Sequence, residues 1–143
     1  MAITQAMATS FKVQLLNGQQ NFSANTFKLA LYTSSATLNE NTTVYSATNE
    51  VPSTGNYSAG GNTLTVSVTP TNSGNVAYIS FANTSWANST ITAAGALIYN
   101  NSQSNAAVCV LNFGGDKTST NGTFAVNFPT ADASNAIIRL TAS

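Results

Sequence analysis

The segment TLTVSVTPTNSGNVAYISFA (63–82) decides the fold class, because both of its halves are short runs with the character of β-strands. The first half places one leucine and two valines on one face of an extended chain and small hydroxylated residues on the other. This period of two predicts a strand with one buried and one solvated face. We expect Pro70 to end that strand, Thr-Asn-Ser-Gly to turn the chain, and 75–82 to return as the second strand of a hairpin.

Short runs with strand character also lie on both sides of this hairpin. We expect further strands at 27–33, 90–93, 95–99, 106–113, 122–128 and 136–141. The run AAVCVLNF (106–113) is apolar on both faces and is therefore expected to be a central strand. Turns are expected at 100–102, 114–116, 121–122 and Pro129. Seven or eight short strands without alternating helices predict a mainly β fold, an antiparallel β-sandwich that is jelly-roll-like or barrel-like, with one N-terminal α-helix.

The N-terminal segment, 1–18, has a different period. Ile3, Met7, Phe11 and Leu15 recur at every fourth position, and Gly18 follows where helices commonly end. We therefore expect an N-terminal amphipathic helix within 1–18, packed on one β-sandwich domain.

The rest of the chain, 19–143, is expected to form that single domain. Its longest stretch without a clear period is 36–62, which we call the long loop. We expect this loop to be ordered, because it contains apolar anchors of its own: Val44, Tyr45, Val51 and Tyr57.

The apolar side of the expected helix has two interpretations. It can cover an open end or edge of its own sandwich, or it can also contact neighbouring copies in a closed homo-dimer or homo-trimer. The chain carries four basic and four acidic residues, so no net charge opposes self-association. We take Met7, Phe11 and Leu15 as the candidate oligomer or docking interface.

The composition argues against several classes of protein. Four scattered cations cannot neutralise a phosphate backbone, so no nucleic-acid partner is expected. The chain has no histidine and one cysteine, which excludes histidine-based catalysis and a Cys/His zinc site within it, and we expect no metal or cofactor. No apolar run is long enough to cross a bilayer, so no membrane span is expected, and the segment 1–16 lacks the pattern of a secretion signal.

The remaining catalytic possibility is a pair of carboxylates, as in glycoside hydrolysis. The four candidates, Glu40, Glu50, Asp116 and Asp132, are dispersed among polar loops, and we expect no enzyme. The one tryptophan, Trp86, has two interpretations. It can close a core or an interface, or it can form with Tyr57 an aromatic platform for a glycan.

The chain resembles a family of small virion proteins of tailed bacteriophages. The stretches that carry the resemblance are FKVQLLNGQQNF (11–22), NTFKLALYTSSATL (25–38), TNEVPSTGNYSAGGNTL (48–64), ISFANTSWANSTITAAGALIYN (79–100) and AAVCVLNFGGDKTSTNGTF (106–124). They cover most of the chain in order. The chain departs from similar members at Val13, where they often carry a charge, and near Pro52, where their loop is shorter.

The resemblance implies a non-enzymatic structural role, as a capsid decoration (cement) protein that stabilises the phage head. It implies the major capsid protein as partner, synthesis in the host cytoplasm and a final place on the capsid surface. No catalytic motif is carried over with it. The alternative is a tail-associated adhesin or carbohydrate-binding module that recognises the host surface with Tyr57, Trp86 and the long loop.

Overall fold

A computed structural model describes residues 2–141 as a mainly β protein with antiparallel, sandwich-like sheets that do not close into a barrel. This confirms the predicted fold class. The elements in chain order are β1 (Ala6–Met7), α1 (Thr9–Leu16), β2 (Phe27–Tyr32), β3 (Asn62–Leu64), β4 (Val66–Ser73), β5 (Val76–Phe81), β6 (Thr84–Asn100), β7 (Ala106–Val126) and β8 (Ile138–Leu140). In the described part of the chain no helix has the length and hydrophobicity that crossing a membrane requires.

Two sheets form the sandwich. The larger has the order β1-β7-β6-β2-β3, and the smaller has the order β4-β5-β8. Strands β4 and β5 form the predicted hairpin. The first part of β7, Ala106–Leu111, is buried, and near Val110 the strand is paired with β1 on one side and β6 on the other, as its apolar pattern predicts.

The helix is shorter than predicted and begins at Thr9. Ile3 and Met7 are extended: Met7 lies opposite Cys109 of β7, and Ile3 forms a bridge to Leu38. The prediction of one helical stripe from Ile3 to Leu15 was therefore wrong in its first half. A short isolated helix is marginal in water, so pairing with the apolar strand β7 outweighs the local helical period.

Several predicted turns lie inside strands. Pro70 does not end its strand but lies within β4, where the pairing with β5 shifts register between Val68 and Thr71. Because proline has no N–H to donate, this irregular position suits it. The glycine turn at 114–116 and the turn at 121–122 are irregularities within β7, so two predicted strands merge into one. Likewise 90–93 and 95–99 both belong to β6.

An aromatic cluster ties the helix to both sheets. Phe22 stacks on Phe27 of β2 at 4.6 Å between ring centroids and packs against Phe81 of β5 at 6.2 Å. Phe11 of the helix meets Phe22 edge-on at 5.9 Å and is fully buried. Burying one such side chain contributes roughly 1.5–3 kcal/mol to stability. The helix therefore packs on its own sandwich, which agrees with the first of the two interpretations of its apolar side.

Candidate functional site

An apolar groove lies where the end of α1 and the chain after it meet the smaller sheet. Its volume is about 280 Å³. Its apolar lining comes from the helix, from the following segment and from β4, β5 and β8: Leu15, Phe22, Pro70, Ile79, Ile138 and Leu140. Among the described residues, none that lines this groove carries a charge. The groove can therefore bind an apolar group by excluding water, with selectivity set by its shape.

Exposed apolar side chains lie on α1 and β8, two of the elements that contribute to the groove. Between residues 2 and 141, four large hydrophobic side chains are classed as exposed, and three of them belong to the elements that form the groove. Leu16 is 91% exposed and Val13 58% exposed on α1, and Leu140 is 50% exposed on β8. Single exposed apolar residues are ordinary on protein surfaces, but an apolar groove whose wall includes the half-exposed Leu140 is typical of an interaction site.

The predicted interface residues have different places in this arrangement. Leu15 lines the groove, as a docking residue should. Phe11 is buried in the core and cannot reach another molecule, and Met7 is partly buried on β1. Sequence reasoning missed Leu16 and Leu140. A helical wheel limited to 9–16 would have shown Leu16 outside the apolar stripe, whereas the exposure of Leu140 depends on how β8 pairs.

Tyr57 and Trp86, the residues of the glycan alternative, are both buried. Their ring centroids lie 5.4 Å apart, and Trp86 meets Phe124 edge-on at 6.4 Å. Neither ring presents a face to solvent on which a sugar could stack. The structure thus places Trp86 in the core, in line with the other predicted interpretation of this residue.

Tyr57 instead belongs to a hydrogen-bonded cluster around Glu50, a carboxylate that is almost completely buried. The Tyr45 hydroxyl donates to Oε1 of Glu50 at 2.5 Å, while the Tyr57 hydroxyl and the Gly60 N–H donate to Oε2, each at 2.7 Å. Buried carboxylates are costly unless such donors satisfy them. We call Glu50 with these three donors the Glu50 cluster.

The Glu50 cluster connects the long loop to the larger sheet. The Tyr57 hydroxyl accepts from the Leu31 N–H of β2 at 2.8 Å, and the Tyr99 hydroxyl of β6 donates to the Gly60 carbonyl at 2.7 Å. The Tyr45 ring stacks on Tyr99 with centroids 4.7 Å apart. The loop is therefore held in place by interior hydrogen bonds as well as by the buried side chains of Val51 and Tyr57. Val44, which was predicted as a further anchor, is 48% exposed.

The phenols of this region are poor acids. Burial raises the pKa of Tyr57, and its hydrogen bond to Glu50 raises that pKa further. Burial and then the charge of Glu50 raise the pKa of Tyr99 to about 12. Burial likewise raises the pKa of Tyr32 and of Tyr45 above the ordinary value. These hydroxyls stay neutral donors across the physiological range, as an arrangement that holds a loop requires.

The other candidate chemical groups are three further carboxylates and the thiol of Cys109. Glu40 and Asp116 are exposed. Asp132 accepts hydrogen bonds from the Asn135 side chain and the Ser134 N–H, which hold the pKa of its carboxyl below the usual value. Burial raises the pKa of the Cys109 thiol to about 12, so this cysteine is a poor nucleophile. Among residues 2–141 no three metal-ligating side chains of the His, Cys, Asp or Glu type come together.

Two further clefts are lined by apolar and polar residues together. One, of about 390 Å³, lies along β7 and includes Lys117 and Thr118. The other, of about 300 Å³, lies at the first half of the long loop and includes Thr42 and Ser46. The apolar groove has the most apolar lining of the three, and we therefore take it as the candidate functional site. No protein-family model matches the chain, and comparisons with curated proteins and with solved structures give no match either.

Proposed function

We propose that this chain is a non-enzymatic structural protein of a tailed-phage virion, a decoration protein that binds the major capsid protein and stabilises the head. The resemblance along the sequence suggests the virion. The observation that carries the assembly role is the uncharged apolar groove, whose wall includes the half-exposed Leu140. Such a surface binds another protein by shape and apolar contact.

The surface chemistry suits a protein that works on a lattice. Of 143 residues, 57 are Ser, Thr or Asn and eight are charged. Binding through a surface with so few charges should depend little on salt or pH, because there are few ion pairs that screening could weaken. On a capsid, repeated copies of one modest contact add up through their effective concentration. In this proposal the chain is made in the host cytoplasm and ends on the capsid surface.

The adhesin alternative loses its specific support in this fold. Its two aromatic residues, Tyr57 and Trp86, are buried. A glycan would have to bind the outer side of the long loop, where the partly buried Tyr45 ring is already stacked on Tyr99. The proposed function therefore remains capsid decoration, and the adhesin becomes an outcome of the test.

The test is to locate the protein on the virion that carries it. Immunogold labelling with an antibody against the purified chain should mark the whole shell, and a virion reconstruction should place the β-sandwich on the capsid lattice. Label confined to the tail tip would contradict capsid decoration and support the adhesin. Sedimentation of the chain with purified capsids should change little between about 0.05 and 0.5 M salt, since the proposed contact is uncharged.

A further inference from the structure

We propose that the Asn17–Gly18 peptide is a modification site, at which the chain converts its own asparagine to aspartate and isoaspartate. The sequence contains two Asn-Gly pairs, Asn17–Gly18 and Asn121–Gly122. In such a pair the main-chain nitrogen of the glycine has an unobstructed approach to the side-chain amide carbon of the asparagine, because glycine has no Cβ. The fold leaves the first pair free to react and holds the second. The proposal goes beyond the proposed function and does not depend on it.

The reaction needs only water and hydroxide. Hydroxide takes the proton of the Gly18 N–H, and the nitrogen forms a bond to Cγ of Asn17. As this succinimide ring closes, the bond from Cγ to the side-chain amide nitrogen breaks, and that nitrogen leaves as ammonia after taking a proton from water. Water then opens the ring at either of its carbonyl carbons. Cleavage at Cγ gives aspartate at position 17, and cleavage at the main-chain carbon gives isoaspartate, in which the main chain runs through Cγ.

Asn17 and Gly18 lie at the end of α1. Asn17 is the residue that caps the helix, with φ −99° and ψ 8°, and Gly18 follows with φ +79°. Both residues are exposed, and no other part of the described chain comes within 4 Å of a Cβ placed on Gly18. The ring therefore has the space it needs, and it forms when Asn17 rotates about ψ until the Gly18 nitrogen meets Cγ.

The hydrogen bonds that this rotation must break are long. The Gly18 N–H, which has to lose its proton, donates to the Leu15 carbonyl at 3.3 Å. The Gln19 N–H is shared between Oδ1 of Asn17 at 3.3 Å and the Gln14 carbonyl at 2.9 Å. The two longer distances exceed the usual N–H···O range of about 2.7–3.2 Å, so little stability is lost when these bonds break. The bond to Gln14 can persist, because Gly18 absorbs the rotation with its own φ and ψ.

Asn121 and Gly122 lie inside β7, where the same rotation is opposed. The Asn121 N–H donates to Oγ1 of Thr90 at 3.0 Å, and Gly122 lies opposite Ser89 of β6. Oγ of Ser89 is also within hydrogen-bond distance of the Gly122 carbonyl, at 3.2 Å. Turning the peptide between Asn121 and Gly122 separates it from β6, so the fold protects this pair. The second pair is therefore an internal control for the first.

The modification changes the apolar groove, because Gly18 lines it. The unmodified chain has equal numbers of acidic and basic residues, so the product carries one net negative charge. That charge lies at the C-terminal end of α1, where the helix dipole disfavours an anion and no basic residue of the last turn offsets it. In the isoaspartate product the main chain is also one carbon longer shortly before Gln20, whose buried amide bonds to Gln14 and Asn100. Conversion of Asn17 is therefore a slow, irreversible change in charge and shape at the groove.

The test follows both pairs in the purified full-length chain by mass spectrometry. Trypsin cleaves after lysine and arginine, so Asn17 lies in the fragment 13–28 and Asn121 in the fragment 118–139. In the folded protein at neutral pH, Asn17 should exchange NH2 for OH at least about 10-fold faster than Asn121, the factor expected from the hydrogen bonds that Asn121 must break. The rate at Asn17 should rise with pH, because hydroxide takes the Gly18 proton. Peptide fragmentation and an enzymatic assay for isoaspartate identify the residue and the product.

Two variants and one change of condition locate the cause. Asn17→Gln should abolish the reaction at this position, since the longer side chain would have to close a larger ring. The matched control Asn121→Gln should leave the rate at Asn17 unchanged. In urea, where the fold is lost, the rates at the two asparagines should become similar. Circular dichroism before incubation verifies that each variant is folded.

Three results would overturn the proposal. One is a folded chain in which Asn121 reacts as fast as Asn17. Another is a folded chain in which Asn17 stays unmodified over the period that converts it in urea. The third is a difference between the two pairs that persists in urea, since the fold would then not be its cause. These measurements use purified protein alone, so they are independent of whether the antibody marks the shell of a virion.

Discussion

Replacing Gly61 with alanine tests how closely the long loop returns to the sheet. Gly61 has φ +74°, and a Cβ placed on it would lie 1.7 Å from the carbonyl oxygen of Leu29 and 2.8 Å from the Cα of Ala30. Both contacts are backbone atoms of β2, so no side-chain rotation can relieve them. Either β2 shifts or the short strand β3 separates from it.

The expected loss of stability combines the cost of a left-handed backbone at residue 61 with the loss of hydrogen bonds between β3 and β2. A left-handed backbone costs a non-glycine residue about 1–2 kcal/mol. The pairing of β3 with β2 covers three residues, and each hydrogen bond in it contributes about 0.5–1.5 kcal/mol. Gly61→Ala should therefore lower the free energy of unfolding by about 3–5 kcal/mol, which lowers Tm by about 10–20 °C in a domain of this size.

Gly114→Ala is the matched control for this substitution. Gly114 has φ +79°, and nothing approaches a Cβ there within 4 Å. It should therefore show the backbone penalty alone, about 1–2 kcal/mol. Urea unfolding followed by tryptophan fluorescence measures both variants, since Trp86 is buried in the same core. The reasoning would be refuted by a Gly61→Ala variant whose free energy of unfolding equals that of Gly114→Ala within the error of the measurement.

Two further predictions concern the Glu50 cluster and pH. Glu50→Gln should destabilise the fold by about 2–3 kcal/mol, because the NH2 group of the amide would face hydrogen-bond donors that the carboxylate oxygens accept from. The control Glu40→Gln, on the exposed part of the loop, should leave the urea midpoint unchanged. The second prediction concerns alkaline pH. Folding raises the pKa of Tyr99 from 10.0 and that of Cys109 from 9.0, in each case to about 12. A group with a raised pKa contributes its full stabilisation below the pKa of the unfolded state, and this contribution is lost as the pH rises toward the pKa of the folded state. Urea midpoints should therefore fall from about pH 9 upward, with a smaller fall in Cys109→Ala, and a midpoint that stays constant to about pH 11 would contradict the prediction.

The fold was predictable where the local pattern and the tertiary environment agree. The hairpin within 63–82 forms in β4 and β5, as its period-two alternation and polar turn predict, although Asn62–Leu64 pairs with β2 in the larger sheet and the turn follows Ser73. The prediction was wrong where pairing with a residue far away in the sequence determines the local structure. Met7 belongs to a repeat with a period of four, yet it pairs with Cys109, a residue far along the chain whose position the local pattern cannot show. Likewise, the glycines at 114 and 115 are typical of a turn, but they produce a bulge when β6 supplies a continuous partner.

The candidate site was predictable only in part. Leu15 belongs to the apolar stripe and lines the groove, so its periodicity was informative. Leu140 comes after a buried isoleucine in β8, and the pattern alone does not say that this strand lies at the edge of the smaller sheet. The Glu50 cluster joins residues from the loop and contacts two strands. Carboxylate burial of this kind has no sequence signature, because it depends on where three separate donors meet.

The pairing of β1 with β7 has a consequence for how the chain is made. Ala6 lies opposite Val110, so the N-terminal strand has no partner until most of the polypeptide has left the ribosome. At synthesis rates of about 5–20 residues per second this takes on the order of 5–20 s. During that interval Met7 and the helix that follows lack their β7 contacts. Completion of the larger sheet is thus a late event in biosynthesis, and ribosome-bound chains that end before residue 106 should leave the N-terminus open to proteases.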